Sequence, residues 1–279
     1  MRFSLVMATV GRTGEIEHLL ASLDAQTDHE FELIVVDQNP DDRISKLLER
    51  YRSKVPIFHL RSEPGVSRAR NIGIEHATGE VIGFPDDDCW YPSDLLAKVS
   101  RYLREHTEMD GVSGRVTDEG GSFDARFDEV PGLLEPSNVW LRTAAVSIFV
   151  RREAAGKIGG FDEKLGPGAG TVWGGGEDIE YALRAVRSGL HIYYDPALMV
   201  FHPHALASGY REMSGRAYSY GAGIGRVWRK HDYPIRLVAY SLLRPAGGAI
   251  LSLLLARPDK ARYHWSGFRG RLRGWLSTK

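Results

Sequence analysis

The sequence predicts an α/β fold in which a mostly parallel sheet carries helices on both faces. Short apolar runs alternate with amphipathic helical patterns through the first half of the chain, and this alternation is typical of parallel sheets. Polar and acidic residues directly follow the apolar runs, at the carboxyl ends of strands where open α/β sheets bind ligands. A chain of 279 residues is also long enough to bury a large core.

Hydrophobic period and turn residues predict each element of the first half. The predicted strands are 3–9, 31–36, 57–60 and 81–84, and the predicted helices are 16–24, 44–51 and 67–77. Residues 33–36 are purely apolar, as expected for a strand buried on both faces. The first helix places its four apolar side chains on one face. Pro64 and Gly65 open the third helix, and Gly79 closes it.

The second half continues with strands and two further helices. The predicted helices are 92–103 and 179–188, and the predicted strands are 111–116, 144–150 and 193–201. The polar stretch 117–138 is interpreted as a loop over the site. Residues 166–176 include six glycines, so this run is either a flexible linker or a mobile loop that closes on substrate. The helix start at Glu177 directly afterwards favours the mobile loop.

Charge is segregated along the chain although the formal net charge is zero. Residues 1–199 hold 22 basic and 33 acidic side chains, whereas residues 200–279 hold 14 basic and 3 acidic ones. The basic tail therefore suggests contact with something anionic, such as a membrane surface or a phosphorylated substrate. Nucleic acid is not expected, because no motif that reads nucleic acid accompanies the charge.

Cysteine content and apolar runs bear on the cellular compartment. Cys89 is the only cysteine, which excludes an intrachain disulfide and favours the reducing cytoplasm. The first residues run directly into a strand pattern without the features of a secretory signal. The longest apolar stretch, 245–256, is shorter than the roughly 20 residues that span a bilayer, so we expect no crossing there.

Three consecutive carboxylates, Asp86, Asp87 and Asp88, follow the apolar run 81–85. Adjacent carboxylates repel one another unless a cation neutralises them, and a hard divalent ion with oxygen ligands suits that role. An acidic surface loop is the alternative. His202, after the last predicted strand, is a candidate neutral metal ligand or a structural histidine.

Further polar residues lie at strand or helix ends. Asp37 ends an apolar strand and could bind a nucleobase or ribose, or cap the following turn. Arg68 and Arg70 point in different directions near a helix start, and one of them could pair with phosphate. Glu177 and Asp178 open a helix, where they are either a simple N-cap or a general base positioned by the glycine-rich loop.

Several common enzyme signatures are absent from the sequence. There is no Gly-x-x-x-x-Gly-Lys-Ser/Thr and no Gly-x-Gly-x-x-Gly after the first strand, which disfavours P-loop kinases and dinucleotide oxidoreductases. No Gly-x-Ser-x-Gly elbow is present either. Phosphates bound here would therefore be neutralised by the acid-held cation and by arginine.

Seven segments occur in an order that resembles family 2 glycosyltransferases of the GT-A fold. The match covers roughly residues 3–205. It rests on the occurrence of all seven segments together, in this order. The segments are Ser4-Leu5-Val6-Met7-Ala8-Thr9, Glu32-Leu33-Ile34-Val35-Val36-Asp37, Gly65-Val66-Ser67-Arg68-Ala69-Arg70-Asn71-Ile72-Gly73, Ala77-Thr78-Gly79-Glu80, the Asp86–Asp88 triplet, Gly159-Gly160-Phe161-Asp162-Glu163, and Gly176-Glu177-Asp178-Ile179-Glu180 with Arg184.

The resemblance implies inverting transfer of a hexosyl or deoxyhexosyl group from a nucleoside-diphosphate sugar to an acceptor hydroxyl, with Mg²⁺ or Mn²⁺ on the diphosphate. Asp178 would be the base, and Glu177 would shape the acceptor site. Asp88, Asp86 and His202 would hold the metal. The implied donor-binding residues are Thr9, Arg12, Asp37, Arg70, Asp86 and Asp87.

The resemblance also implies a domain plan. We expect a glycosyltransferase domain at 1–205, with a nucleotide-sugar half at 1–110 and an acceptor half at 111–205, and a basic helical appendage at 206–279. Aromatic and basic residues alternate at helical spacing over 262–276, which suits either a core-packed helix or an interfacial membrane helix. The second option would place the protein on the inner face of the plasma membrane, with a glycan or lipid-linked acceptor.

Two other functions remain open at this point. A sugar-phosphate nucleotidyltransferase shares a similar sheet and metal chemistry, but it should carry a glycine-rich, lysine-bearing signature after the first strand, which residues 9–12 do not supply. A catalytically inactive glycan-binding or scaffold protein would not need Asp86, Asp88 and Asp178 together. The joint presence of these acids favours the enzyme.

Overall fold

A computed structural model describes residues 1–118, 127–203 and 209–278. The chain forms two compact units, of which the first comprises Met1–Phe161 and Tyr181–His204, and the second Asp162–Glu180 and Ala205–Lys279. The second unit thus includes a segment that the sequence analysis assigned to the domain at 1–205. The domain limits drawn from the sequence stay a prediction.

An eight-stranded, mostly parallel sheet forms the centre of the first unit, as predicted. Its strands are β1 (Phe3–Thr9), β2 (Phe31–Asp37), β3 (Ile57–Arg61), β4 (Val81–Gly83), β5 (Gly111–Thr117), β6 (Gly132–Leu133), β7 (Ile148–Arg151) and β8 (Ile192–Phe201). Their order is β3-β2-β1-β4-β7-β5-β8-β6. β7 is antiparallel to β4 and β5, and β6 is antiparallel to β8, whereas the other neighbouring pairs are parallel.

Ten α-helices accompany the sheet in the described residues. They are α1 (Gly14–Asp24), α2 (Ser45–Tyr51), α3 (Val66–His76), α4 (Leu95–Glu105), α5 (Val139–Arg142), α6 (Arg152–Ile158), α7 (Glu177–Arg187), α8 (Tyr210–Lys230), α9 (Ile235–Leu254) and α10 (Pro258–Trp275). The core of the first unit packs the apolar faces of α1 and α4 against the sheet. Its members include Phe3, Leu5, Met7, Ile16, Leu19, Leu20, Leu23, Leu33, Val35, Leu96, Val99 and Leu103.

Three sequence expectations need correction. In place of one strand at 144–150, the chain forms a 3₁₀ turn over Ala145–Ser147, and the strand β7 begins only after this turn. The loop expected at 117–138 contains β6, while its residues 119–126 lie outside the described part of the chain. The run at 245–256 is expected to be too short to span a bilayer, but its residues up to Leu254 belong to a 20-residue helix, α9.

Helix α9 was missed at full length because polar residues interrupt its apolar pattern. Ser241 and Arg244 divide the run in the sequence, and Pro245 lies inside the helix without ending it. Within the described residues, α9 is the one helix whose length and composition would suit a membrane crossing, with a mean hydropathy of 1.5. Length and composition alone are weak evidence for such a crossing.

Candidate active site

The three acidic residues lie beyond the carboxyl end of β4, as the sequence predicts. Asp86 forms an isolated parallel bridge with Ala8, so the acids sit beside the end of β1. The three side chains differ in exposure. That of Asp86 is 36% exposed, whereas those of Asp87 and Asp88 are 7% and 10% exposed. The site therefore combines one accessible carboxylate with two largely buried ones.

Asp87 is held by the residues that follow β1. Its Oδ2 accepts a hydrogen bond of 2.7 Å from the Thr9 hydroxyl, and its Oδ1 forms an ion pair with Arg12. Burial raises the pKa of Asp87 to about 6, although the Arg12 charge and the Thr9 hydrogen bond oppose that rise. Thr9 and Arg12 thus stabilise a carboxylate that the surroundings alone would tend to protonate.

Asp88 lies between Arg12 and His202. The Arg12 guanidinium approaches its Oδ2 to 2.8 Å, and the His202 Nε2 approaches its Oδ1 to 3.1 Å. Burial raises the pKa of Asp88, but His202 and Arg12 outweigh it and hold that pKa below its ordinary value. The buried Oδ1 nevertheless lacks a well-aligned hydrogen bond among the described residues, so it retains capacity to bind a cation.

Asp86 pairs with an arginine that is fixed from two sides. The Arg70 guanidinium lies 2.9 Å from the Asp86 Oδ1 and 5.3 Å from the centre of the Phe161 ring. Phe161 in turn stacks on Tyr181, with ring centres 4.2 Å apart. Because Arg70 is only 3% exposed, its charge is directed at the acids rather than screened by solvent.

The donor set fits a divalent cation. Asp86, Asp88 and His202 each offer one ligand atom, and these atoms lie within 4.8 Å of one another. Carboxylate oxygens are ligands that Mg²⁺ and Mn²⁺ accept, and imidazole is compatible with Mn²⁺. The Asp88 Oδ1, which has no well-aligned hydrogen bond among the described residues, supports the same interpretation.

Asp37 is fully buried and has partners that the sequence analysis missed. His59 Nε2 lies 3.0 Å and Arg61 3.2 Å from its Oδ2, while the Asn39 backbone N–H and side-chain amide donate to its Oδ1. Arg61 stands opposite Asp37 in the β2–β3 register. These partners could have been expected only once β3 was known to lie beside β2.

In the second unit, Glu177 and Asp178 occupy the first turn of α7. Asp178 Oδ1 accepts a hydrogen bond of 2.8 Å from the Ile179 N–H. Both side chains are half-buried, and the positive end of the helix dipole favours their charged forms. The helix N-terminus thus presents two carboxylates that solvent still reaches.

One turn further along, Glu180 is fully buried. Lys230 Nζ lies 2.7 Å from its Oε1, and Lys230 also contacts Asp162 at 2.7 Å. His231 Nε2 lies 3.3 Å from the same Glu180 oxygen. These contacts fix the start of α7 to the end of α8. They therefore hold in place the helix turn that carries Glu177 and Asp178.

The end of the glycine-rich segment packs closely on α8. The Gly174 N–H donates to the Ser219 carbonyl at 3.1 Å. A side chain at Gly223 would overlap the Gly175 carbonyl, and Gly176 adopts a φ of +84°. Glycine is therefore required here by close backbone approach and by backbone conformation. The predicted mobility of this segment stays a prediction.

Solved structures with the same architecture are glycosyltransferases. The mannosyltransferase PcManGT of Pyrobaculum calidifontis, solved with GDP-Man and Mn²⁺, matches with a TM-score of 0.66 at 17% identity, over 97% of this chain and 87% of that one. Staphylococcus aureus TarS matches with a TM-score of 0.63 at 18% identity, over 95% of this chain. The match spans 55% of that TarS chain, and at such identities these structures establish the fold alone.

Fold and sequence together define the class of this protein, a glycosyltransferase of the GT-A fold. The family model described as glycosyl transferase family 2 matches residues 4–149. The chain belongs to this family.

Relatives of known sequence carry the same class name. A PGL/p-HBAD biosynthesis glycosyltransferase of Mycobacterium tuberculosis is 28% identical over 223 residues, which is 76% of this chain and 78% of the relative. Glycosyltransferase AglE of Haloferax volcanii is 24% identical over 245 residues, covering 84% of this chain and 77% of the relative. The resemblance drawn from the sequence motifs is thereby confirmed at the level of the family.

Proposed function

We propose that this protein is a metal-dependent, inverting glycosyltransferase that moves a sugar from a nucleoside diphosphate to a hydroxyl of a glycan or lipid-linked acceptor. The observation that carries this proposal is the cluster of Asp86, Asp88 and His202, whose ligand atoms lie within 4.8 Å of one another. The buried Asp88 Oδ1 has the His202 Nε2 at 3.1 Å but no well-aligned hydrogen bond among the described residues, and this supports a bound cation in the same cluster.

The donor would bind at the carboxyl ends of β1, β2 and β4. Thr9 and Asp37 are opposite each other in the β1–β2 register, which suits contacts with the base and ribose. Asp86 and Asp88, with His202, would hold Mg²⁺ or Mn²⁺, and the ion when bound would neutralise the diphosphate leaving group. Arg70 would add a fixed positive charge beside that leaving group.

Arg12 has a second role in this proposal. Its guanidinium contacts both Asp87 and Asp88, so it balances their charge when no donor is bound. Arg12 would give up its contact with Asp88 if that carboxylate held a cation, and it could then pair with a donor phosphate. Asp87 would then keep Arg12 near the site through their ion pair.

Asp178 is the proposed base, and Glu177 the proposed neighbour that shapes the acceptor site. The Asp178 carboxylate would take the proton from the acceptor hydroxyl as the oxygen attacks the anomeric carbon and the bond to the diphosphate breaks. A single displacement of this kind inverts the configuration at that carbon. The hydrogen-bonded position of Asp178 at the helix start supports its charged form.

The name of one relative supports a role in polysaccharide synthesis. TarS of Staphylococcus aureus, 31% identical over 41% of this chain, is a poly(ribitol-phosphate) β-N-acetylglucosaminyltransferase. A solved TarS complex contains UDP-GlcNAc, and the PcManGT complex contains GDP-Man. We accordingly propose action at the cytoplasmic side of a membrane, with the sugar and base to be identified by experiment.

Thermal unfolding with a panel of UDP-, dTDP- and GDP-sugars, with and without Mn²⁺, tests the donor site. A ligand at about a hundred times its Kd adds about 2.7 kcal/mol to stability. We expect a metal-dependent rise in Tm that Asp88→Ala abolishes. The exposed carboxylate Asp41, paired with Arg43, provides the matched control Asp41→Ala, which should retain the shift. Absence of a shift with every donor would favour an inactive scaffold protein.

Substitution of the proposed base separates binding from chemistry. We expect Asp178→Asn to retain donor binding while transfer falls by about two to four orders of magnitude. Asp259→Asn, at the first turn of α10, is the control and should leave transfer unchanged. Full transfer activity in Asp178→Asn would remove the base assignment but leave the donor site intact.

A further inference from the structure

Helix α9 has an unusual distribution of side chains. Its buried residues are small or polar apart from one valine, and they are Val238, Pro245, Ala249 and Ser252. Eight of its large apolar side chains are exposed by 47% to 78%, and they are Ile235, Leu237, Tyr240, Leu243, Ile250, Leu251, Leu253 and Leu254. A helix at the surface of a water-soluble protein normally has the opposite arrangement. The exposed face of α9 therefore suits an apolar environment.

Helix α10 covers the small side of α9, and its own aromatic residues are partly used in packing on α8. Arg271 lies 6.0 Å from the Trp228 ring centre, and Arg229 lies 5.9 Å from that of Trp275. Side chains at Gly270 or Gly274 would overlap the α8 backbone. This supports the core-packed interpretation for much of α10, and none of the described residues covers the apolar face of α9.

We propose that the exposed face of α9 inserts into the acyl layer of an anionic phospholipid bilayer. The charge around it supports this partner, because residues 235–278 carry eight arginines and lysines and a single acid, Asp259. Basic residues near an anionic membrane surface each add attraction. The inference deepens the membrane association in the proposed function and names the element responsible.

The arginines of α9 favour a helix that lies in the interface over one that crosses the bilayer. Arg244 is the tenth of its 20 residues, so a crossing would place its charge near the centre of the bilayer, where a charged side chain is strongly unfavourable. In an in-plane helix, Arg236 in the first turn and Arg244 near the middle can extend their guanidinium groups toward lipid phosphates. Both side chains are exposed in the structure.

A groove between α9 and α10 adds space for an acyl chain. It has a volume of about 530 Å³ and is lined mainly by apolar side chains, including Ile250, Leu253 and Trp265. Arg262 is also part of the lining, where its guanidinium could meet a lipid phosphate. An apolar groove beside a basic side chain matches the two halves of an anionic phospholipid.

A second copy of the chain is a less suitable partner for this face. Two copies joined through α9 would bring together surfaces with the same strong excess of positive charge, and like charges across an interface are unfavourable. Anionic lipid supplies the opposite charge. Vesicle flotation and light scattering together distinguish a lipid bilayer from a second copy of the chain.

Vesicle flotation of the full chain tests the proposal. We expect binding to vesicles of phosphatidylcholine mixed with phosphatidylglycerol, and much weaker binding to phosphatidylcholine alone. Replacing two exposed leucines, Leu243→Glu with Leu254→Glu, should weaken binding by on the order of tenfold or more. Val130→Glu changes an equally exposed apolar residue of the first unit and should bind as the unchanged protein does.

A fluorescent label reports insertion directly. Cys89 is buried, so Leu254→Cys can be labelled selectively with an environment-sensitive dye. Its emission should shift to the blue on anionic vesicles, whereas a label at Val130→Cys should not respond. Because Leu254 is 78% exposed, both variants are expected to fold, which circular dichroism and Tm would check.

Three outcomes would overturn the proposal. They are failure of the unchanged protein to bind anionic vesicles, binding without a blue shift at residue 254, and binding that survives the two glutamate substitutions. A dimer in light scattering that the glutamate substitutions dissociate, with no lipid binding, would assign the face to a second copy. Since no sugar donor is used, any of these results leaves the proposed transferase chemistry standing.

Discussion

Strand β2 and helix α9 are both apolar, yet one is buried and the other is exposed. Every residue of β2 is buried, whereas only 22% of the most apolar window of α9 is buried. β2 has neighbours on both edges and helices against the sheet, but α9 has α10 on one side and turns its large side chains outward. Hydropathy alone therefore does not reveal what an apolar segment packs against.

Truncating one leucine in each region should give the largest contrast in stability. Leu33→Ala removes a fully buried side chain of β2 and should lower the free energy of unfolding by about 2–5 kcal/mol, since it leaves a cavity. Leu254→Ala, on the exposed face of α9, should change it by less than about 0.5 kcal/mol in buffer. Urea unfolding measures both. An equal loss in the two variants would mean that the α9 face is covered in solution.

Glycine substitutions within the C-terminal helices should distinguish packed from open surfaces. At Gly270 a methyl group would overlap the Tyr218 carbonyl oxygen, so Gly270→Ala should destabilise by about 1–3 kcal/mol or more. Gly247 on α9 has open space where a methyl group would lie, so Gly247→Ala should stabilise by about 0.5–1 kcal/mol. Thermal unfolding of both variants measures these changes in stability. If Gly247→Ala destabilised the protein, another part of the molecule would have to pack on α9 at this position.

The two units also differ in how they bury carboxylates beside lysine. Lys230→Met removes the ammonium group that lies 2.7 Å from Glu180, so the negative charge of this buried carboxylate is less well neutralised. We expect a loss of about 2 kcal/mol, less than for a fully buried pair since Lys230 is 34% exposed. Lys54→Met removes the exposed pair with Asp24 and should have little effect. Comparable Tm values for the two variants would contradict a stabilising role for Lys230.

Glu32 of β2 is expected to make a small, pH-dependent contribution to stability. Burial raises the pKa of Glu32, but hydrogen bonds from Ser4 and Thr78 outweigh it and hold that pKa below its ordinary value. The resulting stability is present above the ordinary glutamate pKa and is lost as pH falls through the lowered value. Glu32→Gln should therefore remove about 1 kcal/mol near neutrality and flatten the acid limb of the stability curve. An unchanged acid limb would exclude this contribution.

The sequence predicted the first half of the fold well because its periodic signals are strong. Strands β1 to β4 and the helices between them lie within a few residues of their expected limits. The cluster around Asp86–Asp88 was also predictable, since parallel strands end at one edge of a sheet. Thr9, Arg12, Arg70 and His202 all contact these acids in the structure.

Features that depend on long-range neighbours were not predictable from one sequence. The contacts of Asp37 with His59 and Arg61 require the order of β2 and β3. The short strand β6 exists through pairing with β8, and its two residues leave no periodic signal. Helix α9 escaped notice because Arg244 interrupts its apolar run, although that arginine is exposed at the helix side.

The close approach of Gly175 to Gly223 restricts which substitutions this chain can accept during evolution. The two backbones touch where any side chain at 223 would collide with the Gly175 carbonyl. Gly170, in the same glycine-rich segment, and Gly215, on α8, have open space around them. A library of single substitutions should consequently show sharp intolerance at 223 and more tolerance at 215. Homologues that lose Gly223 should also have moved α8.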